Sequence, residues 1–166
     1  MPDIHTTVIR DARPGDIATA TVIERMSFSD PWSAPMLRSH MYGDVNLFLV
    51  ATDGATSGAI VGYAIAYVIA GESELLNIAV HPEHRGRAIG TALLDQLMAR
   101  CHARGAAVMA LDVRESNIPA RALYERHGFV IVGRRRGYYH HPDEDGLLMR
   151  AELPYSATGQ PSPSPQ

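Results

Sequence analysis

The chain has 166 residues, a formal net charge of −3 and 46% hydrophobic residues. That is one domain's length, enough to bury about 70% of the unfolded surface without disulfide or metal staples. The composition excludes a disordered chain, and the charge offers no global attraction to nucleic acid or to a membrane surface.

Thr6 to Arg10 reads as a short strand. Arg13-Pro14-Gly15-Asp16 then turns the chain into a helix near Ile17 to Met26. No basic segment followed by an apolar run marks a secretion signal in the first twenty residues. Ser29-Asp30-Pro31-Trp32-Ser33 is a loop with a capping signal, and it opens a second helix to about Met41. Leu47 to Thr52 and Ile60 to Ile69 form a strand pair around a turn rich in Gly, Ser and Thr. The apolar stretch Ala59 to Ala70 is too short to span a bilayer. Glu74 to Val80 is a strand and Arg87 to Arg104 a helix. Ile89, Leu93, Leu94, Leu97, Met98 and Cys101 keep helical spacing there. The lone cysteine excludes an internal disulfide, fits a reducing cytoplasm, and is placed as a core thiol rather than a nucleophile. Ala107 to Arg114 is a strand, Ser116-Asn117 caps a helix to His127, and Gly105 and Gly128 end the two helices. Phe129 to Gly133 and Gly146 to Leu153 make a closing strand pair. Residues 1–153 are expected to form the domain and 154–166, rich in Pro and Ser, a disordered tail. Interspersed strands and helices with two hairpins predict an α/β (α+β) fold: a mixed sheet of about seven strands, mostly antiparallel, with helices on both faces.

One stretch carries the most chemistry. Leu76 to Val80 is an apolar strand that runs into His81-Pro82-Glu83-His84, then Arg85-Gly86-Arg87-Ala88-Ile89-Gly90, then a helix. Helix-start amides bind an anion without a desolvated charge of their own, and small residues let a ligand approach the backbone. The turn fits neither G-x-x-x-x-G-K-[ST] nor G-x-G-x-x-G, and all fifteen basic residues are arginine, which excludes a P-loop lysine and a Schiff-base lysine.

Arg85-Gly86-Arg87-Ala88-Ile89-Gly90 resembles the Q/R-x-x-G-x-G/A motif of the GCN5-related N-acetyltransferases, in which the turn holds the pyrophosphate of acetyl-CoA. Pro31-Trp32-Ser33, Asn77-Ile78-Ala79-Val80, Leu111 to Asn117, Ala122-Leu123-Tyr124-Glu125, His127-Gly128-Phe129 and Arg136-Gly137-Tyr138-Tyr139 resemble the RimI-type branch. That branch acetylates the N-terminal alanine of ribosomal protein bS18. The likeness spans about residues 4 to 153 and implies a transferase of that fold, with acetyl-CoA as co-substrate. Ala88 stands where the motif has its first glycine. If the position needs positive φ, an L-residue costs about 1–2 kcal/mol; if it needs only closeness, a methyl can be accommodated.

Acetyl transfer to an amine needs a neutral amine, a polarised carbonyl and a proton for the leaving thiolate. Asp112 is an acid inside the apolar run Val108 to Val113, which is costly unless it is solvated, paired or useful. The resemblance gives Asp112 the place of the general base, where Glu is usual, and Tyr124 the place of the general acid. A phenol of pKa near 10 suits that proton transfer. The bland alternatives are an ion pair of Asp112 with Arg114 or Arg121, and Tyr124 as a core aromatic. Glu72 and Glu74 are alternative bases acting through water. By resemblance, the amides of Ile78 and Val80 with Ala79 would hold the pantetheine arm, Asn117 would cap a helix and contact the cofactor, and Asn77, Trp32, Tyr138 and Tyr139 would border the acceptor.

An α-amine of pKa about 8 is roughly one-tenth neutral at pH 7, whereas a lysine amine near 10.4 is neutral only about 0.04% of the time. A shortened or water-relayed base therefore suits an N-terminal amine better than a lysine. Lysine and small-molecule amines remain alternative acceptors, and a CoA-binding module without catalysis is the alternative outside enzymes. Arg134-Arg135-Arg136 with Tyr138-Tyr139 also suits RNA, but one short run in an acidic chain reads better as a solvated hairpin, so no direct nucleic-acid partner is expected. His140-His141 with Asp143, Glu144 and Asp145 matches no common zinc spacing and reads as a polar hairpin loop, so no metal is expected. The expected assembly is a monomer or weak dimer, with no membrane partner.

Overall fold

The computed structural model describes residues 6–54 and 58–156. The strands are β1 (Thr7–Asp11), β2 (Asn46–Asp53), β3 (Ile60–Ile69), β4 (Glu72–Val80), β5 (Val108–Arg114), β6 (Val130–Tyr139) and β7 (Glu144–Glu152). The helices are α1 (Ile17–Ser27), α2 (Ala34–Ser39), α3 (Ile89–Ala103) and α4 (Ile118–Arg126). The strands form one seven-stranded sheet in the order β1-β2-β3-β4-β5-β7-β6. β4 and β5 run parallel; β1 with β2, β5 with β7, and β6 with β7 are antiparallel. This is the mixed, mostly antiparallel sheet that the sequence predicts.

The chain divides into two compact units, Met1–Ala66 with Asn77–Leu97, and Tyr67–Leu76 with Met98–Gln166. In the first, β2 and β3 are almost continuously buried, as long apolar strands covered on both faces must be. Ile17, Ala20 and Ile23 of α1 are buried at helical spacing, as are Ile89, Leu93, Leu94 and Leu97 of α3. In the second unit the burial of β5 alternates: Met109, Leu111 and Val113 are buried, and Val108, Ala110, Asp112 and Arg114 lie on the other, half-covered face. The period of two explains how an acid sits inside an apolar run.

Most element ends shift by one or two residues from expectation, and one strand differs by more. α2 stops at Ser39, two residues before Met41. β6 does not end at Gly133 but continues through the arginine run to Tyr139, so Arg134-Arg135-Arg136 and Tyr138-Tyr139 lie on a strand of the solvated hairpin that β6 makes with β7. An edge strand pairs on one side only and tolerates charge that a central strand would reject. The arginines find acids here: Arg134 pairs with Glu115 and Asp145, and Arg135 with Asp112. The turn itself spans residues 140–143, so His140, His141 and Asp143 lie in the loop as expected, whereas Glu144 and Asp145 already pair in β7.

The chain remains placed just past residue 153. Tyr155 donates its hydroxyl to the Arg126 carbonyl at 2.8 Å, and its ring lies 5.0 Å from that of His127. The expected disordered tail otherwise falls on residues 157–166, outside the described residues. No helix among the described residues is long and apolar enough to cross a membrane.

Candidate active site

After β4 the chain makes a single 3-10 turn (Pro82–His84) and passes through Arg85 and Gly86 into α3. Gly86 has φ +77° and Ala88 φ +59°. Ala88 therefore sits in the left-handed region, so the first of the two readings of that position holds: the backbone needs positive φ. The first amide of this region to reach back is that of Ala92, which donates to the Ala88 carbonyl at 3.0 Å. Helix geometry leaves the amides ahead of it without an intrahelical acceptor, and alternating handedness turns successive amides toward one concave face. That arrangement fits a pyrophosphate. Arg85 is tied into the protein: Nε donates to the Val80 carbonyl at 3.1 Å and Nη2 to Ser27 Oγ at 3.3 Å. Arg87 is exposed on the same turn.

The pairing of β4 with β5 covers only Glu72↔Val108, Ser73↔Met109 and Glu74↔Ala110. Ile78, Ala79 and Val80 lie beyond that paired stretch. Asn117 caps α4, its Oδ1 accepting from the Ala120 amide at 3.3 Å. Its side-chain NH₂ is not used in that cap.

Asp112 is 11% exposed at its side chain, and Arg135 Nε donates to its Oδ1 at 2.8 Å. The pairing partner is neither Arg114 nor Arg121. Arg114 donates to the carbonyls of His140 and Pro142 and meets Glu144 at 3.3 Å, while Arg121 donates to the Glu115 carbonyl. The strand order explains the difference. β7 lies between β5 and β6, and its register carries Arg135 opposite Gly146 and Asp112 opposite Leu148. Nearness in sequence could not show that.

Tyr124 is buried and faces Phe129, with ring centroids 5.7 Å apart. Burial raises its pKa well above the ordinary phenol value, and the nearby Tyr139 adds to the rise. Burial, with the charge of Asp112 next, pushes Tyr139 up to about 12. Tyr139 is thus within electrostatic reach of both Asp112 and Tyr124, the two residues proposed from sequence for proton transfer. Of the alternative bases, Glu74 accepts the Tyr67 hydroxyl and pushes that phenol up to about 12, and Glu72 is exposed.

A buried carboxylate that the sequence did not single out lies in α1. Glu24 is 1% exposed. Its Oε2 accepts the Tyr63 hydroxyl and, at 2.7 Å, the Asn77 side-chain amide; its Oε1 accepts the Trp32 backbone amide at 2.9 Å. Burial, and then the charge of Glu24, raise the Tyr63 phenol far above its ordinary value. Trp32 also stacks on His40 at 4.9 Å. The only sequence signal was a lone Glu on the inward stripe of α1, beside Ile23 and Ala20.

A profile of the acetyltransferase (GNAT) family matches residues 18–129. The chain belongs to the acetyltransferase (GNAT) family. It is 37% identical over 136 residues to the ribosomal protein bS18-alanine N-acetyltransferase of Escherichia coli K12, covering 81% of this chain and 89% of that protein. It is 33% identical over 152 residues to the protein of the same name from Haemophilus influenzae, covering 89% and 99%. The crystal structure of the Escherichia coli ribosomal-protein-S18-alanine N-acetyltransferase superposes with a TM-score of 0.81 at 31% identity, covering 95% of this chain and all of that one. The chain is therefore an acetyl-CoA-dependent N-acetyltransferase, with acetyl-CoA as its co-substrate. In this acetyltransferase Cys101 is fully buried and burial pushes its thiol up to about 11, which keeps it protonated and in the core. Among the described residues no group of three or more His, Cys, Asp or Glu is arranged to hold a metal ion.

Proposed function

We propose that this acetyltransferase modifies the α-amine of a protein N-terminus, with the N-terminal alanine of ribosomal protein bS18 as its first acceptor. The single observation that carries this reading is the 37% identity to the bS18-alanine enzyme across 81% of the chain. The geometry supports it. The left-handed pair Gly86 and Ala88 presents amides at the start of α3 for the pyrophosphate, with Arg85, Arg87, Ile89 and Gly90 completing the turn. Ile78, Ala79 and Val80 offer backbone to the pantetheine arm as an added strand would, and the Asn117 side chain contributes a further polar contact. By the resemblance alone, Trp32, Asn77, Tyr138 and Tyr139 would border the acceptor.

In the proposed step the acceptor's ammonium gives one proton to Asp112. The amine lone pair forms the C–N bond to the thioester carbonyl, and the C–S bond breaks. Tyr124 protonates the departing sulfur, and the second amine proton restores the phenol. No covalent acyl-enzyme forms. Burial keeps Tyr124 protonated at neutral pH and makes it a weaker acid than a free phenol, so its proton transfer to the thiolate is drawn forward by the second amine proton that restores the phenol. The lack of a direct nucleic-acid or membrane partner, a cytoplasmic location, and a monomeric or weakly dimeric state belong to the same proposal.

The test is CoA-thiol release with peptides. A peptide carrying the bS18 N-terminus should be turned over, and the same peptide with its α-amine blocked and an internal lysine added should not. Equal turnover of the lysine peptide overturns the α-amine assignment. Tight acetyl-CoA binding without thiol release on any peptide favours the non-catalytic module.

A further inference from the structure

Arg135 is a cation already seated on the carboxylate that the acceptor's ammonium must reach. Its Nε meets Asp112 Oδ1 at 2.8 Å, and its guanidinium lies 5.5 Å from the centre of the Tyr138 ring. The floor of this seat is Gly146 on β7. A Cβ placed there would come within 3.1 Å of the Tyr139 ring and 3.3 Å of the Tyr138 ring. Consecutive residues of a regular strand point to opposite faces. Here the register shifts between Arg135 and Tyr139, around the left-handed Gly137, bring both tyrosines over the same glycine. The Gly137 amide donates to Asp145 Oδ1 at 2.9 Å and pins the irregularity. A carboxylate, two aromatic rings, a bare backbone floor and a second carboxylate, Glu74, near enough for its charge to act on Arg135 form a site built for a cation. Arg114 makes the neighbouring contact, 4.7 Å from the centre of the Tyr139 ring.

We propose that Arg135 occupies the seat of the acceptor's ammonium and competes with it for Asp112, so that it sets the acceptor's KM. This rests on the α-amine reading above. When the acceptor docks, its ammonium takes the place of the guanidinium on Asp112, and Arg135, half exposed on an edge strand, turns outward. No bond is made or broken in the exchange. Arg135 is a positioning residue and touches no reacting atom. It has no part in holding acetyl-CoA, so the co-substrate's KM is independent of it.

The experiment measures steady-state kinetics with the bS18 N-terminal peptide, and peptide binding by calorimetry in the presence of CoA. Arg135→Gln should lower the peptide KM by about twofold to fivefold, the range open to an exposed ion pair that no longer has to be displaced, and leave the acetyl-CoA KM unchanged. Arg136→Gln removes the same charge one residue away and controls for net charge; it should change the peptide KM less than twofold. Arg135→Lys should restore most of the wild-type KM. In an Asp112→Asn background, Arg135→Gln should no longer tighten peptide binding. If Arg135→Gln and Arg136→Gln act alike, or the peptide KM rises in Arg135→Gln, or its tightening persists without the Asp112 carboxylate, the seat is not competitive and the proposal falls. If the wild-type protein turns over lysine peptides and no α-amine peptide, it is the acceptor reading that fails, a result visible before any variant is made.

Discussion

Ala88→Gly is the substitution whose outcome follows most directly from backbone geometry. Ala88 has φ +59° where the family motif has glycine. Holding an L-residue in the left-handed region costs about 1–2 kcal/mol, and glycine avoids that cost. Glycine also frees the unfolded chain, which takes back about 0.4–1 kcal/mol. The balance is a gain of about 0.5 kcal/mol, or roughly 1–2 °C in Tm for a chain of this size. If the free turn relaxes toward ordinary φ and returns to the left-handed geometry only around the pyrophosphate, the same strain is charged to binding. Acetyl-CoA then binds Ala88→Gly about two- to threefold tighter. Gly86→Ala is the mirror experiment. Gly86 has φ +77° and nothing within 4 Å of where a Cβ would stand, so only backbone conformation is perturbed. It should lose stability, or acetyl-CoA affinity if the free turn relaxes, by about the strain of an L-residue in the left-handed region. The assays are calorimetric titration with acetyl-CoA and thermal unfolding without it. The order Ala88→Gly, wild type, Gly86→Ala is expected in unfolding where the free turn already holds the left-handed geometry, and in the titration where it returns to that geometry only around the pyrophosphate. An Ala88→Gly protein that binds acetyl-CoA more weakly than wild type would refute the reasoning, because the methyl would then be contributing contact rather than strain.

Three further outcomes follow from the geometry. Tyr124→Phe should lower kcat on the bS18 peptide by about 100-fold or more with the acetyl-CoA Kd within twofold; unchanged kcat removes Tyr124 as the acid. Glu24→Gln keeps the volume of a buried side chain that accepts from Tyr63, Asn77 and Trp32 but turns an NH₂ toward one of those donors, so it should cost about 1–3 kcal/mol in urea unfolding; a loss under 0.5 kcal/mol would show that the network is not under strain to stay paired. For Asp16, burial raises the pKa, but the Arg10 side chain and the Arg13 amide outweigh it and bring the carboxyl below its ordinary value of 3.8. A depressed folded-state pKa contributes stability that is fully present above the unfolded value and is lost as pH falls through the folded one. The urea midpoint should therefore hold from pH 7 to about 5 and decline below about 4, and Asp16→Asn should lower the plateau and flatten that decline; a decline of unchanged steepness would assign it to other carboxylates.

The elements were legible where one rule acted alone. The α3 stripe Ile89, Leu93, Leu94, Leu97, Met98 and Cys101 is buried in full, because a helix with one apolar stripe has one way to bury it. The caps at Ser33 and Asn117 form as their spacing implied, because the acceptor and its amide are three residues apart. What the sequence could not show is set by strand order. Arg135 reaches Asp112 because β7 enters between β5 and β6, and Glu24 meets Tyr63 and Asn77 across 39 and 53 residues of chain. Pattern rules read neighbours along the chain, whereas a sheet makes neighbours of residues that no local period connects.

That difference bears on how Asp112 should be read. A short-range argument made it an oddity in an apolar strand and offered Arg114 and Arg121 as partners. The register places it opposite Leu148, two residues along β7 from the row Arg114, Gly146 and Arg135, so that Arg135 reaches it diagonally across β7. Because β6 is an edge strand, its side chains are free to leave, which a partner on a central strand would not be. A carboxylate that must receive an incoming ammonium needs a counter-ion that balances it at rest and withdraws on demand. On the proposal that Asp112 receives the ammonium, it is the edge position of Arg135, more than its distance from Asp112, that ties the ion pair to the chemistry.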